Sequence, residues 1–346
     1  MPRTQELSAD NRLARQHSID LLIMLAITSI MVQFFYGQRA LLLLGIGLVS
    51  ATACELLASL LFRSLRRPFD FHAPVVGICV AMLLPATAPY YLVFVGCAFA
   101  ILVVKLPLGG TLHTPFVPAA AGFAFLCLCF PQELFRFPEW KTALTGAMSS
   151  ADWGNGSSLA QMLQQGRAYP MGVTTSLAFL IGDVPNVPGP IGSSSPLVLL
   201  AVLALLLIRK PRAVLGPLGF LLSAAAFAFL FPRVAAGRMY SVLLELCAGS
   251  LLFAAVFFLP DPATSPEKGT MRLLYGVFAG ILTMCLRRFG AFEEGVCFAV
   301  LGANAAWPLL EDALRKVAAL FAVWRTKGLR LPLPRKQKAV SKEDAS

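Results

Sequence analysis

The chain has 346 residues, of which 57% are hydrophobic and only 14% are charged. A soluble protein would carry about 25% charged residues, so the composition excludes an ordinary soluble enzyme and predicts an all-α integral membrane protein. The formal net charge is +11, but no polar domain is present that could hold a nucleic acid. We therefore expect the basic residues to set the membrane topology and to contact anionic lipid.

Apolar segments follow one another along most of the chain. The N-terminal stretch MPRTQELSADNRLARQHS is too long and polar to be the start of a signal peptide, so we expect the first apolar segment to be retained. Several segments are shorter than the ~20 residues of a perpendicular span. The candidate transmembrane helices are ten, at residues 18–36, 40–62, 73–88, 89–106, 115–130, 196–208, 214–231, 242–259, 271–287 and 295–312.

The distribution of Lys and Arg predicts the orientation. With the N-terminus inside, only 8 of the 29 Lys and Arg residues fall outside, in the loops that follow the odd-numbered spans, and 21 fall on the cytoplasmic side. Because cytoplasmic loops carry the excess of positive charge, both termini are expected in the cytoplasm. The sequence thus predicts a multi-pass protein of the cell's inner, or plasma, membrane.

The spacing of the spans predicts two halves. Residues 1–130 form a first five-helix half, residues 131–195 an extracytoplasmic loop, residues 196–314 the helices of the second half, and residues 315–346 a basic cytoplasmic tail. An odd number of spans gives the second half the opposite orientation, as in an inverted repeat. Within the loop, residues 158–165 are typical of a short amphipathic helix with Ser157 or Ser158 as its N-cap.

The most polar part of the loop is YPMGVTTSLAFLIGDVPNVPGPIGSSS, residues 169–195. Its adjacent hydroxyls, Thr174 and Thr175, follow the flexible Gly172. A long polar loop between apolar segments usually carries function. The pattern therefore indicates a place for chemistry or for attachment of a ligand, although it contains no hydrolase triad and no catalytic residue is assigned.

The eight cysteines lie in or beside apolar segments, and Cys127 and Cys129 form the one close pair. Ligation of an iron–sulfur cluster by that pair is one interpretation. Burial as small apolar side chains is the interpretation that the surroundings favour. We therefore expect no metal site in this chain.

Four ordered blocks carry a family resemblance. LPLGGTLHTPFVPAAAGF (106–123) resembles LPFGGxGxNPFNPA, and DFHAPVVGICVAMLLPATAPYYLVFVG (70–96) resembles DGSALVTGLLLALTLPPxxPWW. PGPIGSSSPLVLL (188–200) resembles PGSIGETSxLA, and the block at residues 261–310 resembles DPVTxPxxxxGRLxxGxxxGxLTxxIRxxGxYPEGVxFAxLxxNxxxPLLD. These are the motifs of the D subunits of Rnf complexes and of the related B subunits of the sodium-pumping NADH:quinone reductase.

The resemblance implies a cofactor and a fold. Members of the family have ten helices with an internal repeat, similar in shape to urea and ammonium channels, and carry FMN joined through its phosphate to a Thr hydroxyl by a flavin transferase. The attachment motif D-x-x-S-G-A-T falls on residues 168–174, so Thr174 is the implied acceptor and Gly172 matches the motif's Gly. Ala168, Met171 and Val173 depart from the motif, which makes Thr175 the second candidate.

The implied function is that of an FMN-carrying membrane subunit of an ion-translocating ferredoxin:NAD oxidoreductase. Such a subunit is part of an enzyme but is not expected to act alone, because its electrons pass through other membrane subunits and iron–sulfur subunits. The resemblance leaves open whether Na⁺ or H⁺ is moved and whether a second, non-covalent flavin binds. The alternative is a channel or transporter for a small polar solute, without flavin.

Overall fold

The computed structural model describes residues 2–61, 71–138, 153–156, 158–166, 180, 189–234, 237–290 and 295–328. The chain divides into two compact units, residues 1–305 and residues 306–346. The first contains almost all of the helices and every polar cluster considered below. In the second unit, side chains one turn apart on the long last helix form hydrogen bonds with each other. Glu311 accepts them from Trp307 Nε1 at 3.0 Å and from Arg315 Nη2 at 2.6 Å.

The first helix, α1, runs from Pro2 to Leu61 and is broken at Gly37. Gly37 has φ 67° and ψ −156°, a conformation that glycine adopts readily and other residues rarely do. The break lies between the first two predicted spans, 18–36 and 40–62. The helix therefore changes direction at Gly37, between the two predicted spans.

Shorter helices complete the first half. After α1 come α2 (His72–Leu83), α3 (Tyr90–Ala98), which continues as a π-helix over Phe99–Lys105, and α4 (Pro118–Cys129). Pro118 stands in the first turn of α4, where its missing N–H is not needed. The short α5 (Pro131–Leu134) follows at once.

The long connection contains an antiparallel pair of short strands, β1 (Phe137–Pro138) and β2 (Trp153–Gly156). They are followed by α6 (Leu159–Gln164). The Ser158 side chain accepts a hydrogen bond from the Gln161 amide at 3.1 Å, which makes Ser158 the N-cap. The predicted amphipathic helix and its cap are thus confirmed, with Ser158 in the capping position.

The long connection ends with a 3₁₀ turn, Ile191–Ser193. Six helices follow, and α9 and α10 are separated by three residues and bent by 58°. The six are α7 (Pro196–Arg209), α8 (Leu215–Leu230), α9 (Arg238–Cys247), α10 (Leu251–Phe257), α11 (Gly269–Phe289) and α12 (Val296–Gly328).

The lengths of the helices bear on the number of membrane crossings. Within the described residues, Arg15–Leu61 and Gly269–Phe289 are long and apolar enough to cross a membrane, and the bent pair α9–α10 adds a third candidate. The other apolar helices are shorter, at 10–17 residues. Every predicted span overlaps a helix, and the chain is that of a helical membrane protein. The count of ten crossings, the inverted repeat and the channel-like shape stay predictions.

Glycines allow the helices of each half to approach closely. A Cβ added to Gly77 of α2 would lie 2.7 Å from the carbonyl carbon of Gly47 in α1. In the second half, a Cβ on Gly276 of α11 would lie 2.9 Å from the carbonyl carbon of Gly216 in α8. Small residues at helix crossings are typical of membrane bundles, where close backbone packing replaces the hydrophobic effect.

Candidate functional site

The residues predicted to carry the cofactor, Gly172, Thr174 and Thr175, lie outside the described residues. The structure describes the chain on both sides of them, at residues 158–166 and from Gly189 onward. These two flanks pack against different parts of the first unit. They therefore show where the loop leaves the helices and where it returns.

The returning flank joins two of the family-like blocks. The Ile191 amide donates a hydrogen bond to the Leu84 carbonyl at 3.0 Å. A Cβ on Gly192 would lie 3.0 Å from the Met82 carbonyl oxygen, so only glycine fits there without a shift. The segment PGPIGSSS consequently closes over the C-terminal end of α2, which lies at the end of the segment DFHAPVVGICVAMLLP.

A buried polar cluster, the polar pocket, consists of Asp261, Ser265, Tyr275 and Asn304. Asp261 and Ser265 lie in the turn between α10 and α11, Tyr275 is in α11 and Asn304 is in α12. Each of the four is buried, with at most 7% of the residue exposed. The Tyr275 hydroxyl donates a hydrogen bond to Asn304 Oδ1. All four belong to the last family-like block, which the fold brings beside α2, since Asp261 interacts electrostatically with Cys79.

The polar pocket has unused hydrogen-bonding capacity. Within the described part of the chain, Asn304 Nδ2 and Ser265 Oγ have no hydrogen-bond partner. Asp261 accepts a hydrogen bond from the Ala263 amide at 3.2 Å, and no Lys or Arg among the described residues forms an ion pair with it. Buried polar groups are normally paired. Together, these side chains fit a ligand that is polar, uncharged or weakly acidic, and that both donates and accepts hydrogen bonds.

Burial also changes the acidity of the pocket. Removal of Asp261 from water raises the pKa of its carboxyl from 3.8 to about 6, and the hydrogen bond from the Ala263 amide opposes that rise. Desolvation is the dominant cause, because it disfavours the charged form. The carboxyl can therefore take up or lose a proton near neutral pH.

A second cluster lies where α9 and α10 separate. We call Arg233, Glu245 and Arg287 the ion-pair network. Arg233 binds the Glu245 carboxylate with two nitrogens, Nε to Oε1 and Nη2 to Oε2 at 2.6 Å. Arg287 Nη1 lies 3.6 Å from Glu245 Oε2, and Arg233 Nη1 donates to the Arg287 carbonyl at 3.1 Å. Glu245 and Arg287 are almost completely buried.

Arg287 also donates hydrogen bonds to backbone carbonyls at the helix break. Arg287 donates from Nη1 to the Glu245 carbonyl at 2.9 Å and from Nη2 to the Ala248 carbonyl at 2.7 Å. These carbonyls stand at the end of α9, where helical N–H partners are missing. Irregular backbone in a membrane protein needs such partners because lipid offers none.

The outgoing flank of the loop packs on that break. Leu159 and Leu163 of α6 form a buried cluster with Val234, Leu244 and Ala248, and Tyr240 and Cys247 pack against it. Gln164 Nε2 also donates to the Gly290 carbonyl at 3.3 Å. The segment that leads toward residue 174 is thereby anchored beside the ion-pair network.

A third charged site pairs Lys105 with Glu55. Lys105 Nζ lies 2.6 Å from Glu55 Oε1, and their side chains are only 2% and 18% exposed. Lys105 ends the π-helix, and its carbonyl accepts a hydrogen bond from the Gly110 amide at 2.9 Å. Gly109 and Gly110, with φ of 125° and 81°, make the tight turn that the sequence LPLGG predicts. π-helical turns are frequent at functional sites.

Sequence reasoning missed the buried charges. In the sequence, Arg233, Glu245 and Arg287 are ordinary loop or span residues, and nothing in their spacing pairs them. A usable signal is present, because an ionisable residue inside or at the end of an apolar span is costly and usually functional.

Cys127 is buried and Cys129 is exposed, and the described residues contain no group of three metal-ligating side chains.

Comparison with known proteins adds the family. Residues 6–319 match the model of the NQR2, RnfD, RnfE family. Relatives named as the D subunit of an ion-translocating oxidoreductase complex include that of Cronobacter sakazakii, 30% identical over 80% of this chain and 87% of the relative. The relative from Stutzerimonas stutzeri is 31% identical over 82% of this chain and 85% of its own length. That from Colwellia psychrerythraea is 28% identical over 82% and 87%.

Proposed function

The chain belongs to the NQR2, RnfD, RnfE family, and from that premise we propose that it is the FMN-carrying membrane subunit of an Rnf-type, ion-translocating ferredoxin:NAD oxidoreductase. The name shared by its relatives, which are D subunits of ion-translocating oxidoreductase complexes, is the observation that carries the proposal. In this proposal the chain works with other membrane subunits and iron–sulfur subunits in the inner membrane, with both termini in the cytoplasm, and the complex moves Na⁺ or H⁺.

The proposed acceptor of the flavin is Thr174. The support is its place in the attachment motif, two residues after Gly172, in the polar loop between the two halves. The anchoring of α6 supports it further, because Gln164, which bonds to Gly290, is ten residues before Thr174. A loop tethered at that distance keeps a covalent cofactor near the helices.

The polar pocket is the proposed site of a second, non-covalent flavin. The pyrimidine edge of a flavin carries one N–H donor between two carbonyl acceptors. Asp261 can accept from the N–H, and Asn304 Nδ2 and Ser265 Oγ, which lack partners within the described part of the chain, can donate to the carbonyls. When bound, a flavin takes up or releases electrons one or two at a time. The protein contributes binding, orientation and the local charge.

Mass spectrometry of the intact chain tests the covalent flavin. Wild-type protein should carry one FMN adduct, Thr174→Ala should lose both the adduct and the in-gel flavin fluorescence, and Thr175→Ala should keep them. Both substitutions should change stability by well under ~1 kcal/mol if the threonines are exposed, so the two variants are a matched pair. An unmodified wild-type chain, expressed with its flavin transferase, would refute covalent attachment.

Flavin that is released by denaturation tests the polar pocket separately. Wild-type protein should release non-covalent flavin. Asn304→Leu, which removes the amide donor, should bind it about 5- to 30-fold more weakly and release less, since one buried hydrogen bond to a ligand is worth ~1–2 kcal/mol. Asn304→Asp keeps the shape but replaces the Nδ2 donor with an acceptor oxygen, so it should also lose flavin. Full retention of flavin by Asn304→Leu would refute this location while leaving the covalent site untouched.

A channel or transporter for a small polar solute is the second candidate function. The 58° bend between α9 and α10 favours it, since broken helices often surround transport sites. Solute uptake by liposomes that contain the isolated chain tests this function. Uptake without any flavin on the chain would support it over the electron-transfer function.

A further inference from the structure

The ion-pair network occupies an expensive position. The buried Arg287 and the partly buried Arg233 face one buried glutamate, Glu245, at the break between α9 and α10, so the cluster carries one excess positive charge. Removing charges from water costs several kcal/mol per ion unless they are paired and hydrogen-bonded. Here the carboxylate receives two nitrogens of Arg233, and Arg287 gives its hydrogen bonds to the Glu245 and Ala248 carbonyls.

The ion-pair network is connected, through the backbone at the end of α9, to the apolar cluster on which α6 packs. Ala248 supplies a carbonyl to Arg287 and a buried methyl group to the cluster that receives Leu159 and Leu163 of α6. Leu244 of the same cluster is the residue before Glu245. A change in the direction of α9 at the break would therefore move the surface on which α6 rests.

We propose that the ion-pair network is a conformational lock, which fixes the bend between α9 and α10 and thereby holds α6 in place. The lock has two parts. Arg287 satisfies the carbonyls that the break leaves open, and Glu245 holds Arg287 and Arg233 together by charge. Loss of either part frees the end of α9, and α6 then separates from Leu244 and Ala248.

The chain contains its own reporter of this separation. Cys247 is the last residue of α9, is partly buried and packs against the cluster that α6 covers, so a thiol reagent reaches it fully only when α6 moves away. Cys129, at the end of α4, is exposed and has no contact with the network. The rate of labelling at Cys247, divided by the rate at Cys129, measures opening of the lock.

The experiment uses the full complex in native membranes, with N-ethylmaleimide labelling resolved by peptide mass spectrometry. Arg287→Gln and Glu245→Gln should each raise the labelling ratio roughly tenfold or more, because each leaves buried groups without partners and raises the population of the open form. Arg288→Gln is the matched control. It removes the same charge one residue away, from an exposed side chain whose contacts within the described residues are a hydrogen bond to the Phe231 carbonyl and a cation–π contact with the Phe231 ring, and it should leave the ratio unchanged.

Two further variants keep the proposal refutable. Arg287→Lys preserves the charge but replaces the two-nitrogen fork of arginine with a single ammonium on a shorter side chain. It should therefore raise the ratio less than Arg287→Gln, and it replaces that variant if the latter fails to accumulate. Leu163→Ala removes the docked side chain directly and should raise the ratio with the network intact. An unchanged ratio in both Arg287→Lys and Glu245→Gln, or an equal rise at Cys129, would overturn the proposal. None of these measurements depends on whether the loop carries a flavin.

Discussion

Asp261→Asn is the substitution whose effect on stability can be worked out most directly. In the folded chain, burial raises the pKa of this carboxyl from 3.8 to about 6. The folded form therefore binds more protons than the unfolded form between these two values. Because stability rises with pH only where the unfolded state binds more protons, the stability of the wild-type chain should fall as the pH rises from about 4 to about 6.

The size of the effect follows from the shift in pKa. One pKa unit corresponds to ~1.4 kcal/mol, so a shift of roughly two units costs the folded chain about 3 kcal/mol above pH 6. An unfolding entropy of about 2.1 cal/mol/K per residue, the value for globular proteins, gives about 0.7 kcal/mol/K for 346 residues. The melting temperature should thus change by about 4 °C through this group alone.

The assay compares thermal unfolding of the purified wild-type chain and of Asp261→Asn in detergent, at intervals from pH 4 to pH 8. Asparagine keeps the oxygen that accepts from the Ala263 amide but cannot ionise. Other titrating groups cancel in the difference between the two proteins. The melting temperature of the variant minus that of the wild type should increase by about 4 °C between pH 4 and pH 7. A constant difference, or one that changes in the opposite direction, would refute the assignment of a buried, desolvated carboxyl.

Two more predictions concern packing and charge. Gly276→Ala places a methyl group against the Gly216 carbonyl of α8 and should sharply reduce the amount of folded protein. Gly45→Ala should not reduce it, because the added Cβ meets nothing within 4 Å. Fluorescence-detected size exclusion measures the amount of folded protein for both variants. Lys105→Met leaves the Glu55 carboxylate without its buried partner and should cost about 3–5 kcal/mol of stability. Lys105→Met combined with Glu55→Gln should recover much of that loss, and a double variant as unstable as the single one would contradict the pairing.

The sequence carries enough information to predict the helices and many of their ends. Each helix boundary depends on one or two neighbouring residues, as at the Gly37 break in α1 and at Ser158, whose hydroxyl caps α6. Local backbone preferences and side-chain caps act over three or four residues. Pattern reasoning can therefore find them without knowledge of the tertiary structure.

The polar clusters could not be predicted in the same way. Arg233 and Arg287 meet Glu245 across 12 and 42 residues of sequence, and Tyr275 reaches Asn304 across 29. Such pairs depend on how α8, α9, α11 and α12 pack. A single apolar sequence contains no periodicity that encodes this packing, and only the unfavourable energy of a charge in lipid marks the residues.

The positions of these clusters relative to irregular backbone suggest one physical principle for the fold. Lys105 ends the π-helix, Arg287 donates to the open end of α9, and Asp261 lies in the turn after α10. In each case a charged side chain stands where regular helical hydrogen bonds are interrupted. Since lipid cannot satisfy exposed backbone groups, a polar side chain beside such a break can supply hydrogen bonds that lipid cannot. At these three places the charged side chains of an apolar helical bundle coincide with the interruptions of its helices.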